Sequence, residues 1–230
     1  MIDIHSHVLP YVDDGSKSLE ASLLMIKNAS DQGVSDIFLT PHFMRFRNYL
    51  SSFDKNFEEF QKLKLEVLER GYTINLHLGN EIYYTIDTIR NLKSKIAIPM
   101  GKSNKVLIEF SMSEEDEDII EAIHNLKSAG YIPIIAHPER YLYIKKISDY
   151  ELMKKMGALI QINAPSIIGK YGTSIQKLSM KLIKMDLVDF VGSDVHEFRA
   201  YNLLAAYNLV KDKFDIEKAN RIFNNTSILN

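Results

Sequence analysis

The sequence predicts an α/β fold in which seven parallel strands and their helices form a slightly reduced (β/α) barrel. Seven short, mostly apolar segments alternate with segments of helical periodicity, which is the pattern of a parallel sheet covered by helices. The length of 230 residues suits one barrel, since such domains run to about 200–250 residues. The sequence contains no internal repeat, low-complexity tract or linker, so we expect residues 1–230 to form one domain.

The predicted strands follow one another at regular intervals and cover residues 2–7, 36–42, 73–78, 105–110, 131–137, 158–163 and 187–194. Capping residues and glycines mark the first helices: residues 19–32 follow Ser18 and precede Gly33, and a long helix from Phe53 ends before Gly71. Ser113, with three acidic residues after it, is predicted to cap a helix that runs to Gly130. Other helices are predicted over residues 85–93, 150–156, 174–184, 200–213 and 216–223.

Composition excludes several classes of protein. The net charge is −2 and no block of Lys or Arg stands out, which disfavours binding to nucleic acid or to a membrane surface. The chain has no cysteine, so disulfides and thiolate metal sites are excluded, and a metal would be held by His, Asp and Glu. We find no signal-peptide pattern and no apolar run near the ~20 residues of a membrane span. We therefore expect a cytoplasmic protein.

Potential metal ligands collect at the ends of the predicted strands. His5 and His7 are two residues apart in the first strand, so their side chains project from the same face. The Asp-Asp-Gly turn that follows brings Asp14 back over the end of that strand. In a βα barrel the carboxyl ends of all strands converge on one face. That face is therefore predicted to receive six further residues, which are His42, Glu81, Glu109, His137, Asp194 and His196.

Together these nine residues favour a site with several metal ions. Any one of them, taken alone, is more simply an isolated polar residue, but five of the seven histidines fall at predicted strand ends. The four carboxylates would repel one another in a partly desolvated pocket unless cations neutralised them. Nine ligands suit two or three divalent ions better than one. The remaining histidines, His77 in a strand and His124 on a helix, are predicted to be structural.

A family resemblance rests on short motifs spread over residues 1 to about 200, namely Asp3-Ile4-His5-Ser6-His7, Val12-Asp13-Asp14-Gly15, Thr40-Pro41-His42, Gly79-Asn80-Glu81-Ile82, Ile108-Glu109-Phe110, Ala136-His137-Pro138-Glu139-Arg140-Tyr141 and Ser193-Asp194-Val195-His196. They resemble those of the polymerase and histidinol phosphatase (PHP) family. Within that family they are most similar to the manganese-dependent protein-tyrosine phosphatases of bacterial capsule and exopolysaccharide operons.

The resemblance implies a distorted (β/α)7 TIM-like barrel of PHP type that carries two or three divalent ions. Manganese is the ion it implies first, with iron, zinc or magnesium as alternatives. The metal ligands it implies are His5, His7, Asp14, His42, Glu81, Glu109, His137, Asp194 and His196. Arg140 matches the family's phosphate-facing arginine, and Arg199 stands close to where a second would be expected.

The activity implied is hydrolysis of phosphotyrosine in a protein by a metal-activated water, with His42, His196 or a water on a ligand as candidate proton donors to the leaving phenolate. The family setting implies an autophosphorylating bacterial tyrosine kinase of capsule or exopolysaccharide synthesis as partner. Arg45 and Arg47 would steer an acidic phosphopeptide or would simply be solvated charges. Four tyrosines near the mouth would stack on a substrate ring or pack the rim, namely Tyr83, Tyr84, Tyr141 and Tyr143.

Other functions remain open at this point. One alternative is a small-molecule phosphomonoesterase that acts on histidinol phosphate or a sugar phosphate. A nuclease-like phosphoesterase is disfavoured by the near-neutral charge. A third alternative is a non-catalytic scaffold of a polysaccharide assembly complex, although a scaffold would not need nine clustered ligands. The sequence also leaves open whether the chain forms an oligomer.

Overall fold

The structure, a computed structural model, describes residues 1–47, 49 and 52–230, with the side chain of Arg45 left out. The described strands are β1 (Ile2–Ser6), β2 (Asp36–Leu39), β3 (His42–Phe43), β4 (Asn75–Leu78), β5 (Glu81–Tyr83), β6 (Lys105–Glu109), β7 (Ile132–Ala136), β8 (Leu159–Asn163) and β9 (Phe190–Gly192). The α-helices are α1 (Leu19–Asp31), α2 (Phe53–Glu69), α3 (Thr88–Lys93), α4 (Ile119–Ser128), α5 (Ile147–Lys155), α6 (Ala164–Ile167), α7 (Thr173–Lys184), α8 (Leu203–Lys213) and α9 (Ile216–Phe223).

The strands pair in parallel and form two sheets that follow one another around a curled half-barrel. The first sheet has the order β1-β2-β4, and the second has the order β3-β5-β6-β7-β8-β9. A parallel bridge between Ser6 and Val195 joins the end of β1 to the chain just after β9, so the first sheet meets the far edge of the second. The predicted α/β architecture with a parallel, barrel-like sheet is therefore the one observed.

One of the seven predicted strands is interrupted and another is followed by an additional short strand, so the described residues form nine strands rather than seven. The predicted strand 36–42 ends at Leu39, and the chain that follows the strand at 73–78 forms a further short strand, β5. Pro41 lacks an N–H group and cannot continue the ladder, so pairing resumes only at β3. In the second sheet His42 then pairs directly with Glu81. The interruptions thus place two predicted ligands side by side at the start of short strands rather than at the ends of long ones.

Helix α4 also begins later than predicted. Its cap is Asp118, whose side chain accepts hydrogen bonds from the backbone N–H groups of Ile120 at 2.8 Å and Glu121 at 3.0 Å. The prediction that Ser113 caps this helix is wrong, because the acidic residues after it precede the helix instead of forming its first turn. Ser18 does cap α1 as predicted, since its hydroxyl accepts from Ala21 N at 3.1 Å.

Two apolar clusters hold the elements around the site. The larger packs the sheets against the helices and includes Ile26, Leu39, Ile135 and Ile160, each buried to 0% exposure. The smaller joins the two sheets, because its members come from strands of both and include Ile4, Phe38, Leu107, Ile134 and Phe190. Burial of such side chains is the main stabilising contribution to a fold of this kind. Within the described residues, we find no helix with the length and apolar character needed to cross a bilayer.

Candidate metal centre

The structure brings all nine predicted ligand residues together at the carboxyl end of the sheets. Three overlapping groups have potential ligand atoms within 4.8 Å of one another: His7 with Asp14, His42 and His196; His5 with His7 and Glu81; and His42 with Glu81 and Glu109. His137 and Asp194 adjoin these groups, since His137 Nε2 lies 2.9 Å from Glu81 Oε1 and Asp194 Oδ1 lies 3.5 Å from His7 Nε2. The side chains gathered from separate strands therefore form one continuous cluster.

Glu81 lies at the centre of this cluster. Its Oε2 atom is 3.2 Å from His5 Nε2, 3.3 Å from His7 Nε2 and 2.8 Å from His42 Nδ1. Its Oε1 atom is 2.9 Å from His137 Nε2. One buried carboxylate thus contacts four imidazoles, which is the arrangement expected of a carboxylate shared between neighbouring ions.

The two aspartates occupy different sides of the cluster. Asp194 Oδ1 lies 3.8 Å from His5 Nε2 and 3.7 Å from His196 Nδ1. Asp14 Oδ1 lies 3.5 Å from His42 Nε2 and 3.7 Å from His196 Nε2. His196 therefore lies between both carboxylates, and Asp14 comes back over the end of β1 as the Asp-Asp-Gly turn predicted.

Buried atoms without hydrogen-bond partners show that these residues fit divalent cations. Five such atoms belong to the cluster, namely Asp14 Oδ1, His42 Nδ1, Glu81 Oε2, Glu109 Oε2 and His137 Nδ1. His42 Nδ1 and Glu81 Oε2 are 2.8 Å apart yet lack the alignment of a hydrogen bond, so neither atom satisfies the other. A buried polar group left unpaired costs about 1–3 kcal/mol. Coordination of a cation by imidazole nitrogens and carboxylate oxygens removes that cost and suits Mn, Fe and Zn.

Asp13 orients one of the histidines, a role that the sequence analysis missed. Its Oδ2 atom lies 2.8 Å from His7 Nδ1 and accepts from the backbone N–H of His42 at 2.9 Å. A carboxylate on Nδ1 leaves His7 Nε2 free to face the cluster, as in many metal sites. Gly15 makes this turn possible, because a Cβ there would lie 2.1 Å from His7 O. The Asp-Asp-Gly motif was the available signal, with one aspartate for each role.

Three arginines line the cleft above the cluster, and two of them, Arg140 and Arg199, contact Asp194. Arg140 Nη1 donates to Asp194 Oδ2 at 3.3 Å, and its guanidinium lies 4.5 Å from the ring centroid of Tyr171. Arg199 is more loosely held, with Nη1 4.0 Å from Asp194 Oδ2. Both line a cleft of about 200 Å³ together with Arg47 and seven of the predicted ligands. Both arginines therefore line the same cleft as the predicted ligands, and their role toward phosphate stays a prediction.

The short turn after β7 carries Arg140 and is itself fixed by buried polar contacts. His137 adopts a left-handed conformation with φ of 36°, which redirects the chain into a 3-10 turn over Pro138–Arg140. Glu139 Oε1 accepts from Asn163 N at 2.9 Å and from Ser166 Oγ at 2.6 Å. The Glu139 side chain therefore ties this turn to the end of β8 and to α6.

Comparison with known proteins identifies the family. The family of capsular polysaccharide synthesis proteins CpsB/CapC matches residues 1–230. The chain belongs to the CpsB/CapC family. It is 35% identical over 233 residues to the tyrosine-protein phosphatase CpsB of Streptococcus agalactiae, with 97% of this chain and 95% of that protein aligned. It is 32% identical over 236 residues to the CpsB tyrosine-protein phosphatase of Streptococcus pneumoniae, with the same coverage of 97% and 95%.

A solved structure agrees with this CpsB/CapC assignment. The fold matches a crystal structure from work on YwqE from Bacillus subtilis and CpsB from Streptococcus pneumoniae, which are described as unique metal-dependent tyrosine phosphatases. The TM-score is 0.90 at 28% sequence identity, and the match covers 100% of this chain and 94% of the other. The resemblance drawn from the motifs and the PHP-type fold are therefore confirmed.

The clustered carboxylates of this CpsB/CapC site shift the pKa values of the residues around them. Burial alone would lower the pKa of His5, but the carboxylates of Glu81 and Asp194 outweigh it and raise that pKa to about 9. Burial, together with the charge of Glu81, raises the pKa of Glu109 to about 8. The neighbouring imidazole of His196, helped by the charges of His42 and His7, lowers the pKa of Asp14. Protons held by His5 and Glu109 occupy places where a divalent cation would supply the positive charge instead.

The remaining predicted residues lie partly at the site and partly in the packing around it. Tyr141 is buried, and its hydroxyl donates to Ala136 O at 2.7 Å, while Tyr83 bonds to Asp116 at the rim. His77 stacks on Phe38 with ring centroids 4.6 Å apart, which is a structural contact. Of the other predicted residues, Tyr84 is buried, Tyr143 stacks on the Tyr141 ring and His124 is exposed. The side chain of Arg45 lies outside the described part of the chain.

Proposed function

We propose that this chain is a metal-dependent protein-tyrosine phosphatase that hydrolyses phosphotyrosine in a partner protein. The observation that carries the proposal is the cluster of nine buried or half-buried ligand residues directly beneath three arginines in one cleft. Imidazoles and carboxylates hold divalent cations, and arginines bind phosphate, so one cleft contains both parts of a phosphomonoester site. The tyrosine-phosphatase names of relatives at 35% and 32% identity support the same activity.

The residues suit two or three ions, for which we propose manganese. His5, His7, Glu81 and Asp194 would hold one ion, Glu81 with Glu109 and His137 a second, and Asp14 with His42 and His196 a third. Glu81 would belong to two of these sets because its two oxygens face different histidines. Bound divalent ions would lower the pKa of a coordinated water to about 7 and neutralise charge on the phosphate.

The side chains of the chain itself would position the substrate. Arg140 would donate hydrogen bonds to the non-bridging phosphate oxygens, and its contacts with Asp194 and Tyr171 hold its planar group in the cleft. Arg199, which is half exposed, would close over the phosphate from the other side. A tyrosine phenol has a pKa of about 10, so its phenolate leaves with little acid assistance. Proton donation by His42 or His196 is therefore the less demanding part of the reaction.

Two exposed aromatic side chains favour a protein substrate over a small metabolite. Phe46 and Phe198 are 65% and 90% exposed, and each precedes an arginine that lines the cleft. Aromatic residues and arginines are enriched where proteins contact one another. We propose that the partner is an autophosphorylating tyrosine kinase of capsule synthesis. Because such a kinase uses ATP, the proposal also implies a cytoplasmic location.

The experiment compares phosphate release from a phosphotyrosine peptide, histidinol phosphate and a sugar phosphate. The chelated protein is supplied with Mn²⁺, Mg²⁺ or Zn²⁺, beside His137→Ala and a control, His124→Ala, that removes an exposed histidine of α4. We expect metal-dependent turnover of the peptide that is lost in His137→Ala and kept in His124→Ala. Faster turnover of histidinol phosphate or the sugar phosphate would replace this proposal with the small-molecule one. A folded protein that is inactive on all three would favour a scaffold.

A further inference from the structure

Strand β8 contains neither a histidine nor a carboxylate, yet it places two polar side chains against the cluster of proposed metal ligands. Gln161 and Asn163 are both buried to 0% exposure. They are two residues apart in a strand and therefore share one face. Burying two amide side chains is unfavourable unless their donors and acceptors are paired. The hydrogen-bond partners of the two amides therefore indicate their role.

The two amides form a chain of hydrogen bonds between two of the proposed ligands. Gln161 Oε1 lies 3.1 Å from His5 Nδ1, and Gln161 Nε2 donates to Asn163 Oδ1 at 2.8 Å. Asn163 Nδ2 in turn donates to Asp194 Oδ2 at 2.8 Å. Gly192 opens the space for this chain, since a Cβ there would lie 2.6 Å from His5 Cβ and 3.1 Å from Gln161 Nε2.

The direction of every bond in the chain follows from the carboxylate at its end. An ionised carboxylate only accepts hydrogen bonds, so Asn163 must present its NH₂ group to Asp194 and its oxygen to Gln161. Gln161 must then donate its NH₂ group to Asn163 and present its own oxygen to His5. An amide oxygen only accepts hydrogen bonds, so His5 must donate from Nδ1. His5 Nε2 is left to face the cluster, 3.2 Å from Glu81 Oε2.

We propose that Gln161 and Asn163 are positioning residues that set the orientation of His5 and Asp194 for metal binding. The inference rests on the proposed metal site. Gln161 fixes which nitrogen of His5 faces the ion. Asn163, together with Arg140, occupies Asp194 Oδ2 and leaves Oδ1 toward His5 and His7. Because one chain of hydrogen bonds joins both ligands, a change at either amide disturbs both.

The test measures Mn²⁺ binding to the chelated protein by titration calorimetry, which does not depend on phosphatase activity. Gln161→Met keeps the volume and removes the hydrogen bonds, and Asn163→Ala removes the bond to Asp194. We expect each variant to bind Mn²⁺ about 10- to 100-fold more weakly, as loss of such supporting contacts does elsewhere. The double variant should lose less than the product of the two single effects, since both act through one chain.

Two controls separate positioning from general damage. Gln161→Glu keeps an acceptor for His5 Nδ1 but loses the donor to Asn163 Oδ1, so it should bind Mn²⁺ more tightly than Gln161→Met and more weakly than the unchanged protein. Gln176→Met makes the matched change on α7, away from the cluster, and should bind like the unchanged protein. Unchanged Mn²⁺ affinity in folded Gln161→Met and Asn163→Ala would overturn the inference. If the unchanged protein binds no divalent ion, the metal site proposed above fails as well, and the two failures are thereby distinguished.

Discussion

Among single residues, Asp13 is the clearest example of a side chain that orients a proposed metal ligand without being a ligand itself. Its Oδ2 accepts from the His42 backbone and contacts His7 Nδ1 at 2.8 Å. We expect Asp13→Ala to raise the Mn²⁺ concentration for half-maximal activity about 10- to 100-fold, because the His7 ring loses its orienting partner. Activity at saturating Mn²⁺ should largely return. Activity lost at every Mn²⁺ concentration, as for removal of a direct ligand, would contradict this role.

Substitutions of Arg140 and Arg199 should differ in their effect on activity because the two side chains are held differently. Arg140 is fixed by Asp194, at 3.3 Å, and by the ring of Tyr171. Arg199 is half exposed, and its distance to the same carboxylate is longer, at 4.0 Å. We expect Arg140→Lys to lower kcat/KM for p-nitrophenyl phosphate by about 10- to 100-fold, the effect of losing roughly 1.5–3 kcal/mol of charged hydrogen bonding. Arg199→Lys should cost less than about tenfold. Equal losses in both variants would show that the difference in anchoring has no functional consequence.

At the scale of the element, the convergence of the carboxyl ends of parallel strands predicted the site better than the pattern of apolar segments predicted the strands. Carboxyl ends of parallel strands converge whether or not a strand is interrupted, so His42 and Glu81 meet despite the breaks before them. Pro41 was the signal that could have located one break. The contacts of Gln161 and Asn163 could not be predicted, because they depend on which strand lies beside β8 and on the absence of a side chain at Gly192.

The loop after β9 carries a ligand, an arginine and a nearly fully exposed aromatic side chain. Phe198 is 90% exposed between His196 and Arg199. If it contacts residues beside the phosphotyrosine, Phe198→Ala should raise KM for a phosphopeptide about tenfold, the effect of roughly 1.4 kcal/mol of lost contact. Turnover of p-nitrophenyl phosphate, which has no flanking residues, should not change. Phe57→Ala on α2 is the matched control, and an equal change with both substrates would exclude a peptide contact.

At the scale of the whole molecule, the cluster makes the stability of the metal-free protein depend on pH. His5 has a folded-state pKa of about 9, above its ordinary value of 6.5, and Glu109 has one of about 8, above 4.5. A raised pKa means that the folded state holds the proton more tightly than the unfolded state does. The stability this provides is fully present below the unfolded-state value and is lost as pH rises through the folded-state value. Both groups therefore destabilise the metal-free protein as pH rises from 6.5 to 9.

We accordingly expect the Tm of the chelated protein to fall between pH 6.5 and pH 9, by about 2–4 °C for each kcal/mol lost in a chain of this size. Saturating Mn²⁺ should raise the Tm more at pH 9 than at pH 6.5, because a cation replaces protons that the cluster has by then released. Glu109→Gln removes one titrating group and should reduce the slope. Differential scanning calorimetry would measure these changes in Tm. A single cooperative transition in the same scans would agree with the prediction that residues 1–230 form one domain. A Tm of the metal-free protein that is constant or rises across this range would show that the cluster does not retain protons as inferred.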